Sequence, residues 1–129
     1  MKAEELMRFD WVRLVDDNTP RQVDWIRSGE VGLLWNKTVT PPYLEPIPLT
    51  PEILEKNGFE VTRNMSSSRN KDVWSLRVSQ NKAFYIIEHH NKKQFPYFWI
   101  EIGSNSDIKY VHQLQHALRL CEIDKEIEL

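Results

Sequence analysis

Hydrophobic and polar positions alternate along most of this 129-residue chain, and that period of two predicts strands. Residues 9–15 set Trp11, Arg13 and Val15 on one side. Residues 22–26 and 31–35 follow, linked through Ser28 and Gly29, and Gly32 marks a bulge or a sharp bend. Residues 36–43 contain Pro41 and Pro42, which cannot donate to a sheet ladder, so this stretch is extended or looped. Several short, bent strands within residues 1–48 predict a small, half-open β-barrel of the SH3-like kind, an inference about fold that carries no function.

A junction at residues 46–59 separates these strands from the later ones. Thr50 is a good N-cap, Pro51 suits the first helical position, and Glu52 complements the helix dipole. Gly58 stops the helix, Ile53 and Leu54 form its apolar side, and Phe59 folds back beneath it. Strands are then expected at residues 60–63, 73–79, 82–89 and 95–102, with Gln80 and Asn81 closing a tight hairpin. Residues 64–70, with serines at 66–68, read as a polar loop. Residues 103–107 end the sheet, and Ser106 or Asp107 caps a helix over 108–121. Its apolar stripe is Ile108, Val111, Leu114, Leu118 and Cys121, and the acidic tail beyond is expected to fray. The fold class is therefore α+β. Residues 1–48 form a strand-rich SH3-like part. Residues 49–129 form a junction helix and an antiparallel sheet backed by the C-terminal helix, in one compact unit with the first part.

Composition narrows the setting. With 40% hydrophobic and 28% charged residues the chain is neither disordered nor fibrous. Acids near the start replace the apolar run of a secretory signal, and no run approaches the roughly 20 residues that span a bilayer. A lone Cys121 makes no internal disulfide and fits a reducing compartment, so a cytoplasmic protein with no membrane partner is expected. Charge is unevenly spread. Residues 1–62 carry −4, residues 63–93 carry +5 and residues 94–129 carry −3, leaving a basic island of Arg63, Arg69, Lys71, Arg77, Lys82, Lys92 and Lys93. Such an island is either a set of solvated turns or an anion-binding surface.

Catalytic motifs are missing from this pattern. The four glycines are isolated, so there is no phosphate loop. His112 and His116 are spaced i, i+4 as two metal ligands would be, but Gln113 stands where a zinc-protease motif has Glu; they are expected to be exposed and unliganded. Cys121 falls on the buried stripe, and Asp16 and Asp17 fall in a turn. No catalytic residue, metal or cofactor is expected. Binding chemistry is better represented, because strand alternation sorts the later residues into two faces. Trp74, Leu76, Val78, Phe84, Ile86, Phe98, Ile100 and Ile102 share an apolar face. Opposite lie Ser75, Arg77, Tyr85, Ile87, His89, Tyr97, Trp99 and Glu101. Aromatic rings beside a cation suit nucleotides, since rings stack on bases and guanidinium takes phosphate. The candidate ligand-binding set is Arg77, Tyr85, Tyr97 and Trp99, with Lys82 and Lys92 as phosphate partners. The competing reading has this face packed against the N-terminal strands.

Two segments, EPIPLTPEILEKNGF at 45–59 and KYVHQLQHALRLC at 109–121, resemble a family of small uncharacterised proteins from phages, prophages and mobile elements of gut Bacteroidetes. Members often begin with a Leu-Arg-x-Gly-Asn-x-Val pattern; here residues 6–12 read LMRFDWV, without the glycine. The resemblance implies a mobile-element setting and an α+β layout, and supplies no activity or catalytic residues. The functional expectation is a non-enzymatic accessory protein that binds a small anionic ligand, a nucleotide signal of host defence. The alternatives are a nucleic-acid-binding module and a protein-interaction or scaffold protein, including a homo-oligomer.

Overall fold

Among the described residues strands dominate, as the alternation predicts, and they fall into two antiparallel five-stranded sheets accompanied by two α-helices. The computed structural model describes residues 1–15, 17–34, 37–39, 44–63, 71–89, 97–102 and 104–129. Expectations for the 64–70 loop and for Lys92 lie outside the described residues.

The first sheet contains β1 (Trp11–Leu14), β2 (Asp17–Arg27), β3 (Glu30–Leu33), β4 (Lys37–Val39) and β5 (Leu44–Pro46), in the order β4-β3-β2-β1-β5. Ser28 and Gly29, both at positive φ (49° and 79°), make the tight turn between β2 and β3. Gly32 is needed for a different reason. It stands opposite Trp25, whose ring would lie 2.0 Å from any Cβ placed there. The alternating burial of β1 sends Val12 and Leu14 into a core with Leu6, Val23, Val31, Leu33 and Leu44. Across the sheet Arg13 pairs with Glu45 at 3.1 Å, directly opposite in register. No closed barrel is formed among the described residues: β4 and β5 are the two edges of an open sheet.

The second sheet runs in sequence order, from β6 (Glu60–Arg63) through β7 (Lys71–Ser79), β8 (Lys82–His89) and β9 (Tyr97–Ile102) to β10 (Ser104–Ile108). β10 differs from the expectation that 103–107 merely ends the sheet. Its polar residues Ser104 to Asp107 form a strand because β9 offers a continuous partner from Ile102 back to Phe98, and pairing overrides weak propensity. Helix α1 (Pro51–Lys56) has the expected parts. The Thr50 hydroxyl accepts from Ile53 N–H at 3.3 Å, and Pro51 occupies the first turn. The edge of the Phe59 ring meets Phe84, with centroids 6.3 Å apart.

Helix α2 (Val111–Leu120) starts later than the pattern suggests. Tyr110, not Ser106 or Asp107, is its N-cap, and Gln113 Oε1 reaches back to accept from the Tyr110 N–H at 3.1 Å. Both helices stop in the same way. In α1, Phe59 N–H donates to Leu54 O and Gly58 N–H to Glu55 O; in α2, Ile123 N–H donates to Leu118 O and Glu122 N–H to Arg119 O. The left-handed position of this motif is held by Gly58 (φ 85°) in α1 and by Glu122 (φ 57°) in α2.

Two compact units result. The first joins Met1–Pro48 to Tyr110–Glu126, and the second joins Leu49–Lys109 to Ile127–Leu129. In the first unit the polar side of α2 is bonded to residues 8–11. The acidic tail does not fray. Ile123 and Ile127 are buried, and in the second unit Asn57 pairs with Glu128 as one peptide would with another: Nδ2 donates to Glu128 O and Oδ1 accepts from its N–H, both at 2.7 Å.

The shared helix-stop geometry gives opposite outcomes at its two left-handed positions. Glu122→Gly, which relieves a side chain held at positive φ, is expected to stabilise the fold by roughly 0.5–1 kcal/mol. Gly58→Ala is expected to destabilise it by about 1 kcal/mol or more, as urea unfolding midpoints of the two variants will show.

Candidate functional site

The register of β7 and β8 decides which side chains of the basic island stand together. Trp74, Leu76, Phe84 and Ile86 are buried on one side of the hairpin. Their strand neighbours Asp72 and Glu88 lie on that same side, opposite one another, and are buried too; Trp74 Nε1 donates to Glu88 Oε1 at 3.3 Å. The other side carries Ser75 directly across from Tyr85 and Arg77 directly across from Ala83. Tyr85 is 57% exposed and Arg77 is exposed, and neither has a partner among the described residues. They are diagonal neighbours, with backbone positions about 7–8 Å apart.

The hairpin also outruns its flanking strands. β6 pairs with β7 only from Asp72 to Ser75, and β9 pairs with β8 only from Ile87 to His89. The row of Arg77 and Ala83 therefore has no third strand on either side among the described residues. Acids of the neighbouring strands share this side by register: Glu60, exposed on β6, extends the Ser75–Tyr85 row by one strand, and Glu101 of β9 and Asp107 of β10 keep the alternation of Trp99, which stands opposite Ile87.

Of the expected ligand-binding set, Arg77 and Tyr85 are brought together on this open face. Lys82 is not. It shares the alternation of Phe84 and Ile86 and sits across from Ser79, beyond a one-residue bulge at Val78. The same bulge explains why Val78, expected on the apolar face, is 41% exposed. Tyr97 and Trp99 stand in register opposite His89 and Ile87.

A second constellation, missed by pattern reading, lies in the first unit around Asp10. Its carboxylate has no exposed surface and accepts three hydrogen bonds: Met7 N–H at 2.7 Å, His116 Nε2 at 2.6 Å and Arg119 Nη1 at 2.9 Å. Arg119 Nη2 also donates to Arg8 O, while Gln115 donates to Phe9 O and accepts from Trp11 N–H, each at 2.9 Å. Phe9 itself has φ 73°, a backbone conformation that glycine adopts without strain. His116 and Arg119 tie α2 to the turn and the Met7 N–H closes the turn itself, so the arrangement serves packing.

His112 and His116 depart from the expectation of exposed histidines: His112 is 3% exposed and its neighbour is engaged by Asp10. His112 is stacked on Tyr110 at 5.9 Å, and the His116 ring stands edge-on to it at 5.6 Å. Its Nδ1 is buried without a hydrogen-bond partner. Burial holds the imidazole below its usual pKa, and nearby His116 pushes the same way, while the negative charges of Asp10 and Glu5 oppose the shift. No group of three His, Cys, Asp or Glu able to hold a metal occurs among the described residues. No described helix is long and apolar enough to cross a membrane. Comparison of the chain with protein-family models, curated proteins and solved structures finds no match.

Two outcomes follow from the Asp10 network. Asp10→Ala leaves the half-buried Arg119 and His116 and the Met7 N–H without their acceptor and is expected to lower stability by roughly 1.5–3 kcal/mol, whereas Phe9→Gly, one residue away, is expected to raise it by roughly 0.5–1 kcal/mol. Chemical denaturation distinguishes the two. His112 gives a pH effect of definite sign. Its folded pKa is lowered, so below about pH 6.5 the unfolded chain takes up a proton that the folded chain refuses. The stability due to neutral His112 is thus present above that pH and is lost as the pH falls toward the folded value. Melting temperatures measured from about pH 8 to about pH 5 should fall less steeply in His112→Leu than in the parent chain.

Proposed function

We propose that this protein is a non-enzymatic binding module and that the open side of the β7–β8 hairpin holds a small anionic ligand carrying a planar ring, with a nucleotide as the fitting chemistry. One observation carries the reading: the Tyr85 ring and the Arg77 guanidinium are exposed side by side, with no partner among the described residues. A phenol ring stacks on a base, and a guanidinium forks onto phosphate with two parallel donors. Trp99 and Tyr97 belong to this proposal as a second pair of rings, with Lys82 and Lys92 as outer phosphate contacts. The family resemblance adds a setting, that of a phage or mobile-element accessory protein which sequesters a nucleotide signal of host defence inside a bacterial cell. We include an SH3-like form for the first sheet, supported by the return of β5 to the side of β1.

Thermal-shift measurements against mono-, di- and cyclic nucleotides test this reading. A nucleotide present at about 100 times its Kd adds roughly 2.7 kcal/mol, a shift of several degrees. Tyr85→Ala and Arg77→Ala should each reduce the shift while leaving the ligand-free melting temperature within about 2 °C, as exposed positions do. If no nucleotide at millimolar concentration moves the melting temperature, the proposal fails.

A further inference from the structure

Resting on that reading, we infer that the nucleotide is presented as part of a polymer, and that the β7–β8 face is a platform for single-stranded nucleic acid. Three features of the molecule point beyond a free nucleotide.

The first is shape. Sites for free small molecules are concave and bury roughly 70–90% of the ligand surface. Tyr85 projects from an open sheet face at 57% exposure, and the Arg77 row beside it is unflanked by further strands among the described residues. Such a face covers one side of a base and leaves both ends of the nucleotide free to continue.

The second is how charge is sorted. Residues 63–93 hold seven Lys and Arg against two acids. Those two acids are Asp72 and Glu88, and both are buried on the apolar side of the hairpin. The open side of β7 and β8 therefore shows Arg77 and no carboxylate of its own. Glu60 of β6 and Glu101 of β9 stand on the flanking strands, whose pairing stops short of the Arg77 row, so the backbone of a bound strand runs on the Arg77 side of the ring.

The third is the ring itself. In a duplex the base faces are already stacked on one another, whereas in a single strand they are free for an aromatic side chain. An exposed tyrosine next to an unpaired guanidinium selects the unpaired strand. Ser75, directly across from Tyr85, and the exposed turn residues Gln80 and Asn81 supply neutral hydrogen-bonding groups at either end of this track.

Fluorescence anisotropy with dye-labelled oligothymidylate and oligouridylate of roughly 15 nucleotides, a length that fills a typical single-strand site, tests the inference on the full chain. The expected result is saturable binding at least about tenfold tighter than the matching mononucleotide, weakened by salt with a log–log slope near −0.7 per phosphate contacted. A hairpin duplex of the same length is expected to bind about tenfold more weakly or worse. Tyr85→Ala should weaken oligonucleotide binding by about 10- to 100-fold, and Tyr85→Phe, which keeps the ring, should stay within about threefold of the parent chain. Arg77→Ala should make the salt slope shallower by about 0.7. If mononucleotides bind but oligonucleotides bind no tighter, this inference is overturned and the small-ligand reading stands. If the duplex binds as well as the single strand, or Tyr85→Ala changes nothing, the stacking platform is wrong. Failure of both nucleotides and oligonucleotides removes the two readings together.

Discussion

A carboxylate with no exposed surface must have its charge answered by donors on the spot, and in this chain that carboxylate is Asp10. Oδ2 takes the Met7 N–H and His116 Nε2, and Oδ1 takes Arg119 Nη1. Removing a charged group from water costs several kcal/mol, so the arrangement tolerates no slip. If α2 turned by one residue, His116 and Arg119 would leave the carboxylate and the cost would be uncovered. The donors lie 106 and 109 residues further along the chain, which makes this turn the point where the two ends of the first unit are brought into register. The strained φ of Phe9 belongs to the same bargain. Its N–H donates to Val23 O at 2.6 Å, and its carbonyl receives both Gln22 and Gln115, so the surrounding bonds hold a bulky residue where glycine would sit freely.

Much of the fold was legible because it follows from local rules. β8 occupies the residues that alternation assigns to it, and the Thr50, Pro51 and Gly58 signals bound α1 as expected. The tight β2–β3 turn was marked by Ser28 and Gly29. What escaped is equally instructive. The Ser104 to Asp107 segment has the composition of a loop, and only β9 makes it a strand. The polar side of α2 has the composition of a solvated surface, yet His112 and Gln115 are buried there. Helical periodicity records which residues are apolar; it carries no knowledge of a buried carboxylate a hundred residues away. That blindness placed the α2 histidines in water.

The candidate site was legible in part for the same reason. Alternation alone puts Arg77 and Tyr85 on one face, and the observed register agrees. Val78 was misplaced, because it is a single extra residue that breaks the correspondence between the strands at the end of the hairpin. Bulges of this kind leave little trace in composition, so the last pair of a hairpin is where face assignments from sequence are weakest.

Charge completes the picture, and it does so through burial. A net charge of −2 says nothing about what this protein meets, because the acids and bases of the 63–93 segment are separated by the sheet that carries them. Asp72 and Glu88 occupy the side of β7 and β8 that also buries Trp74 and Ile86, while Arg77 occupies the other. A strand pair that hides its carboxylates and exposes its guanidinium separates charge by face within an acidic chain. Steric and electrostatic openness then coincide at one place, where a tyrosine ring already stands out from the sheet. The two strands beneath that ring carry no acid on the same side, and the acids of that side, Glu60, Glu101 and Asp107, stand on the neighbouring strands.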